Sequence, residues 1–204
     1  MDLALRVAAR YLLAKSEFSL AELKGKHGGE LNDYLSRFKV VGDGRTRITY
    51  QVTSSKVVKV AQNDDGVRGN SIELSASGSR FAPKVWDFGT DLEWILSERV
   101  LPVTESMVDG IFRSRTGLGH WELSGVLWTG VKSKVPSHSK PVGKIRPLKA
   151  KHDELMKTNA WYREFVGFLL RFKIDPFELH SINLGLSKGN LVVLDLGPSF
   201  GSHK

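Results

Sequence analysis

FKVVGDGRTRITYQVTSSKVVKVA, residues 38–61, is the stretch whose reading decides the fold. Within it Ile48, Tyr50 and Val52 alternate with Arg47, Thr49 and Gln51, the period of two expected of a strand with one apolar face. Phe38 to Val41 runs into Gly42-Asp43-Gly44, and Ser54-Ser55 turns the chain into a third apolar run, Lys56 to Ala61. Three such runs joined by tight turns predict an antiparallel meander. Gly42 and Gly44 lie between two strands, which excludes a dinucleotide fingerprint or a Walker loop, since both of those open a helix. A glycine hairpin can instead fold over phosphates as a flap, because its amides approach oxygen without a side chain in the way.

Working outward, Asn63 to Asn70 reads as a polar loop and Ser71 to Ser77 as a short helix. Lys84 to Trp86 and Leu92 to Glu98 read as two further strands, joined by a turn at Asp87-Phe88-Gly89-Thr90-Asp91. Upstream, Leu3, Val7 and Tyr11 share one helical face with Ala4, Ala8 and Leu12 beside it. Ser19 with Glu22 forms a capping box for a second helix, interrupted at Gly28-Gly29 and resumed through Leu31, Tyr34 and Leu35. Downstream of Pro102 the pattern turns helical: Val103 to Arg113, Trp121 to Val131, and a long apolar face from Asp153 to Phe172. After Asp175-Pro176 come a loop and a strand near Asn190 to Leu194. The expected division is a helical extension over 1–37, a sheet-rich lobe over 38–100 and a mainly helical lobe over 101–204.

Composition narrows the function classes. The 204 residues are 41% apolar and 25% charged, close to the globular average. The absence of cysteine excludes disulfides, zinc–thiolate centres, iron–sulfur clusters and a cysteine nucleophile, and points to a reducing cytoplasm or a particle assembled there. No apolar run approaches a membrane span, and Arg6 and Arg10 interrupt the start where a signal peptide needs a continuous apolar stretch. Net charge is +8, and +7 of it falls between Lys132 and Lys151 (Lys132, Lys134, Lys140, Lys144, Arg146, Lys149 and Lys151, with no acid). With Pro136, Pro141 and Pro147 among them, these residues read as an exposed loop without regular structure, whose partner, if it has one, is phosphate or another acidic surface.

Three features carry chemistry. Lys59 lies inside the apolar strand Val57-Val58-Lys59-Val60-Ala61, where a lysine is costly unless it snorkels or meets an anion. Glu73, fourteen residues on, can pair with it. Near the C-terminus, Glu178-Leu179-His180-Ser181-Ile182-Asn183 is followed by a strand delivering Asp195-Leu196-Gly197, and the oxygens of Asn183 and Asp195 are hard ligands of the kind Mg²⁺ takes together with substrate phosphates. In their order and spacing these pieces resemble the protein-kinase-like superfamily: the glycine-rich loop at Gly42 and Gly44, the strand-three lysine at Lys59, the helix glutamate at Glu73, the hinge strand at Trp94 to Val100, the catalytic loop of the aminoglycoside- and choline-kinase-like branches at 178–183, and the metal motif at 195–197. The texture is most similar to small kinase-like proteins seen in phage genomes.

The resemblance implies an α+β, bilobal kinase-like fold with a five-stranded antiparallel sheet and one inserted helix. It implies an ATP site with Gly42, Gly44, Lys59, Glu73 and Glu98 as nucleotide-side residues, Mg²⁺ on Asn183 and Asp195, and Glu178 orienting the attacking hydroxyl and taking its proton. The chain departs from the family at Arg47, where a third glycine is expected, and at Glu178, where the family has Asp. It also has seven residues after Gly197, leaving no room for a full activation segment. Two readings therefore stand side by side: an ATP-dependent phosphotransferase with an unnamed acceptor, and a pseudokinase serving as a binding or structural module with a protein partner, such as a virion component. A nucleic-acid-binding role for 132–151 is a third, weakened by the lack of aromatics there to stack on bases. Asp87-Phe88-Gly89 spells the metal motif but lies between strands and reads as a turn; His152-Asp153-Glu154 are neighbours that cannot face one metal.

Overall fold

In the computed structural model, which describes residues 17–131 and 145–194, the meander forms from β1 (Lys39–Asp43), β2 (Arg47–Gln51) and β3 (Lys56–Ala61). β4 (Val85–Phe88) and β5 (Trp94–Glu98) complete an antiparallel sheet in the order β1-β2-β3-β5-β4. The class is α+β. Alternation assigns the two faces of this sheet. Tyr50, Val58, Val60, Trp94 and Leu96 share one core with Leu23, Leu31, Leu35 and Phe38, so the helices ahead of the sheet cover that face. Val57, Lys59, Ile95 and Ser97 take the other face and are buried as well.

Those covering helices are α1 (Leu20–Lys24) and α2 (Gly28–Leu35). Ser19 caps α1 as expected, its side chain accepting from the Glu22 amide at 3.3 Å. The glycines do not interrupt a helix. Gly28, at φ +51°, opens α2, and its amide donates to Glu93 Oε1 at 2.8 Å. The expected helix over residues 3–12 lies outside the described residues.

The stretch read as a polar loop is the first half of a helix, α3 (Asp64–Ala76). Its start is specified by capping rather than by apolar period: Asn63 Oδ1 accepts from the Gly66 amide at 3.1 Å, and Asp64 and Asp65 lie in the positively polarised first turn. Asp87 and Phe88 belong to β4, and only Gly89 enters the turn. Asp87 pairs with Lys24 at 2.8 Å, which holds its carboxyl below the usual range.

Two compact units result. One comprises residues up to Ser71 with Val85–Arg99; the other comprises Ile72–Lys84 with the residues from Val100 on. The second unit contains α4 (Glu105–Thr116), α5 (His120–Val131), α6 (Ile145–Thr158) and α7 (Ala160–Phe172), and a small antiparallel sheet of β6 (Leu101–Pro102), β7 (Leu184–Ser187) and β8 (Asn190–Val193). The long apolar face read as one helix from Asp153 is broken: Asn159 ends α6 and caps α7, accepting from the Tyr162 amide at 2.9 Å and donating to the Arg115 carbonyl at 2.6 Å. Tyr162, Phe165, Val166, Phe168 and Leu169 turn inward onto Phe112, Leu123, Leu127, Leu184 and Val193.

The basic stretch is also corrected. Residues 132–144 lie outside the described residues, but 145–151 are helical, as the start of α6. Lys149 pairs with Asp153 at 2.7 Å and Lys151 with Glu154 at 3.0 Å, i,i+4 and i,i+3 partners on one helix surface. Among the described residues no helix is long and apolar enough to cross a membrane.

Candidate functional site

In the first unit Lys59 sits mid-strand with 8% of its surface exposed. Register places it in one row across the sheet: Gly42 opposite Thr49, Thr49 opposite Lys59, Lys59 opposite Ile95. Facing residues of antiparallel strands project to the same side. The hairpin glycine and the strand lysine therefore share a face, although β1 reaches that register only through a bulge between Val40 and Gly42.

The hairpin tip is tied down, in contrast to the flap expected from its glycines. Gln62 Nε2 donates to the Gly44 carbonyl at 3.1 Å, Asn63 Nδ2 to that of Arg45 at 3.3 Å, and the Gln62 amide to that of Thr46 at 2.8 Å. The Arg47 carbonyl accepts from the Gly44 amide at 3.0 Å. Four successive carbonyls are thus engaged, three of them by the segment entering α3. Arg47, at the expected third glycine, is itself buried. Its guanidinium packs over Gly69 and donates to Asn70 Oδ1 at 3.4 Å, joining the hairpin to α3.

In the second unit, residues 175–183 form two 3₁₀ turns, Pro176–Glu178 and Ser181–Asn183. Asp175, 3% exposed, caps the first by accepting from the Phe177 amide at 3.0 Å, with Pro176 pre-set at the first helical position. Asn183 Nδ2 donates to the Glu178 carbonyl at 3.0 Å and closes the loop across five residues. Because a carbonyl can only accept, the amide nitrogen is the end used there, and Oδ1 is the end left for a cation. The Leu194 amide donates to the Asn183 carbonyl at 2.8 Å, so the end of β8 is fixed to this loop. Asp195, next in sequence, and Gly197 lie outside the described residues. The Glu178 carboxylate is half exposed, with His180 Nε2 3.6 Å from its Oε2.

The remaining expected residues divide. Glu73 is fully buried on α3. Glu98 stands opposite Lys56 at the end of β5, three register positions from the Lys59 row and, by alternation, on the other face. The structure thus groups Gly42 with Lys59, and Glu178 with Asn183, but does not group the Glu98 side chain with Lys59. His152, Asp153 and Glu154 diverge as expected: His152 Nδ1 meets Tyr162 Oη at 2.7 Å while the two acids pair with lysines. Among the described residues no three His, Asp or Glu side chains could hold a metal by themselves. Mg²⁺ commonly takes one or two protein oxygens and fills its shell with water and phosphate, so the asparagine oxygen and a following aspartate suit that ion.

Sequence reading missed His120. It is 5% exposed, and its ring packs between Phe112 and Trp121. A histidine opening a helix beside a tryptophan carries no periodic signal, so only the fold reveals its burial. Asp175 was legible in principle, since Asp-Pro is a helix-start signal. No family model matches the chain, and no curated protein matches its sequence significantly.

Proposed function

We propose that this chain is a kinase-like protein that binds ATP with Mg²⁺, with Lys59 and the glycine hairpin as the residues for phosphate and Asn183 and Asp195 as those for the metal. The observation that carries the reading is the Asn183–Glu178 closure: it fixes the loop and orients the amide so that an oxygen, not an N–H, remains for a hard cation. The buried Lys59, in one register row with Gly42, supports the phosphate half. Glu98 enters this reading through its main chain alone. When bound, Mg²⁺ would neutralise charge on the phosphates; Lys59 holds a phosphate oxygen, and Glu178 orients a hydroxyl.

A second reading, a pseudokinase acting as a binding module, is favoured by Glu178. Its carboxylate stands one methylene further out than the family's Asp and lies toward His180. Misplacement on the scale of ~1 Å can cost about a hundredfold in rate. Thermal-shift titration tests binding: we expect Mg·ATP at millimolar concentration to raise the melting temperature, and Asn183→Ala to remove the Mg²⁺ dependence. No nucleotide-dependent shift in the native protein sinks the ATP-binding reading and leaves the module. If it binds, Glu178→Asp separates them. A rise in turnover marks a detuned enzyme; unchanged, absent turnover marks a module.

A further inference from the structure

The second unit also carries a groove of about 360 Å³, between the segment that follows α3 and the exposed stripe of α7. Its floor is aromatic. Phe81 packs against Phe165 and Phe168, at 5.0 and 5.5 Å between ring centroids, and Phe168 against Phe172 at 5.1 Å. The wall opposite α7 is fixed. The Phe81 carbonyl accepts from the Val193 amide at 2.8 Å, which ties that segment to β8, and Ser79 Oγ accepts from the Phe81 amide at 3.2 Å. A wall held this way is preformed, so a ligand does not have to order it. In the α7 wall, Gly167 leaves a notch: a Cβ there would meet no atom within 4 Å. Glycine is a poor residue inside a helix, and nothing packed against α7 requires one at this position. Charge is uneven along the groove. Arg80 Nη2 pairs with Glu164 Oε2 at 2.9 Å, and its guanidinium lies 4.9 Å from the centre of the Phe81 ring. Arg171 lies 5.2 Å over the Phe172 ring, and among the described residues it makes no ion pair. Glu164 and Arg171 are seven residues apart on one helix, about 10 Å along its axis, so the carboxylate that serves Arg80 does not serve Arg171. The groove thus has a neutralised end and a cationic end.

We propose that this groove is a docking site for an acidic peptide segment of a partner protein: an aromatic or large aliphatic side chain fills the notch at Gly167, and a neighbouring carboxylate meets the Arg171 guanidinium. Charge complementarity selects the occupant. A cationic or neutral segment leaves Arg171 unmatched, whereas a carboxylate gains a charge-assisted, forked pair with a guanidinium that the Phe172 ring already orients. The proposal is independent of nucleotide binding. The experiment is an NMR titration of the full chain with the end-blocked peptide Phe-Glu-Phe-Glu, beside Phe-Lys-Phe-Lys and Ser-Glu-Ser-Glu as controls. We expect the first, at millimolar concentration, to move the amide resonances of Gly167, Phe168 and Phe172, and both controls to bind at least tenfold more weakly. Arg171→Glu, which inverts the cationic end, and Gly167→Leu, which fills the notch from within, should each weaken binding about tenfold. Arg171 is exposed and a side chain at 167 enters open space, so both variants should keep the fold, as a melting temperature near the parent's would show. Should one not fold, the other carries the test. No shift with Phe-Glu-Phe-Glu, equal shifts with either control, or parent affinity in a folded variant overturns the proposal. Movement of the same resonances with protein concentration alone would make a second copy of the chain the occupant, and overturns it as well.

Discussion

Gly66 shows how one missing methyl group determines an arrangement. A Cβ there would overlap the Thr46 carbonyl and lie 2.9 Å from Ala61 Cα, backbone atoms of the β1–β2 turn and of the end of β3 that cannot step aside. Gly66→Ala would gain about 1 kcal/mol of helix propensity and lose about 1–3 kcal/mol to overpacking. We expect net destabilisation, seen as a lower urea midpoint at unchanged slope; a variant as stable as the parent would mean that α3 can shift freely on the hairpin. Two histidines make a second residue-scale prediction. Burial holds the His120 and His152 rings below the ordinary histidine value; beside His152, Asp153 acts against the shift and Lys149 with it. A depressed folded value means that the unfolded chain takes up protons first. The stability these rings contribute is therefore present above about pH 6.5 and is lost as pH falls through the lowered folded values. Melting temperature should be flat from neutral pH upward and fall below it, less steeply in His152→Gln. Equal slopes in parent and variant would refute the assignment to His152.

At the scale of elements, the α6–α7 junction rests on Asn159, which caps one helix and reaches the end of α4 through Arg115. Asn159→Ala should cost about 1 kcal/mol, or up to ~2 with both bonds gone, measured by chemical denaturation. The sequence concealed this junction because Leu155, Trp161, Phe165 and Phe172 keep a helical apolar spacing straight across it. It concealed α3 for the opposite reason: Asn63, Asp64, Asp65, Arg68 and Asn70 offer too few apolar positions to show a period, and the helix is specified by its cap and its acidic first turn. The strands were legible because alternation is local, and Ile48, Tyr50 and Val52 bury the face they advertise. Lys59 and Asn183 were legible as candidates because each breaks an expected pattern within a few residues. The tie between the hairpin and Gln62 and Asn63 was not, because it joins residues 18 positions apart through side chains that mostly face water.

For the whole molecule, charge distribution is the property a partner would meet first. Of the basic residues from 132 to 151, Lys149 and Lys151 already have acidic neighbours, and Arg146 is exposed at the start of α6. Reversing Lys140, Lys144 and Arg146 together should weaken binding to a polyanion and reduce its salt slope by about one per lost phosphate contact. Reversing Lys149 and Lys151 should change that slope less; equal effects would show that their ion pairs do not persist in solution. The tethered hairpin has a consequence in time. With the carbonyls of Gly44 to Arg47 engaged, an anion reaching the Lys59 face would not wait for a lid to open or close, a motion that elsewhere takes microseconds to milliseconds. Its residence would follow from affinity alone: with association near ~10⁷ M⁻¹s⁻¹ and millimolar binding, departure comes after about 0.1 ms. Such a ligand would be in fast exchange, and titration would move the resonances of Thr49 and Lys59 continuously instead of splitting them into two sets.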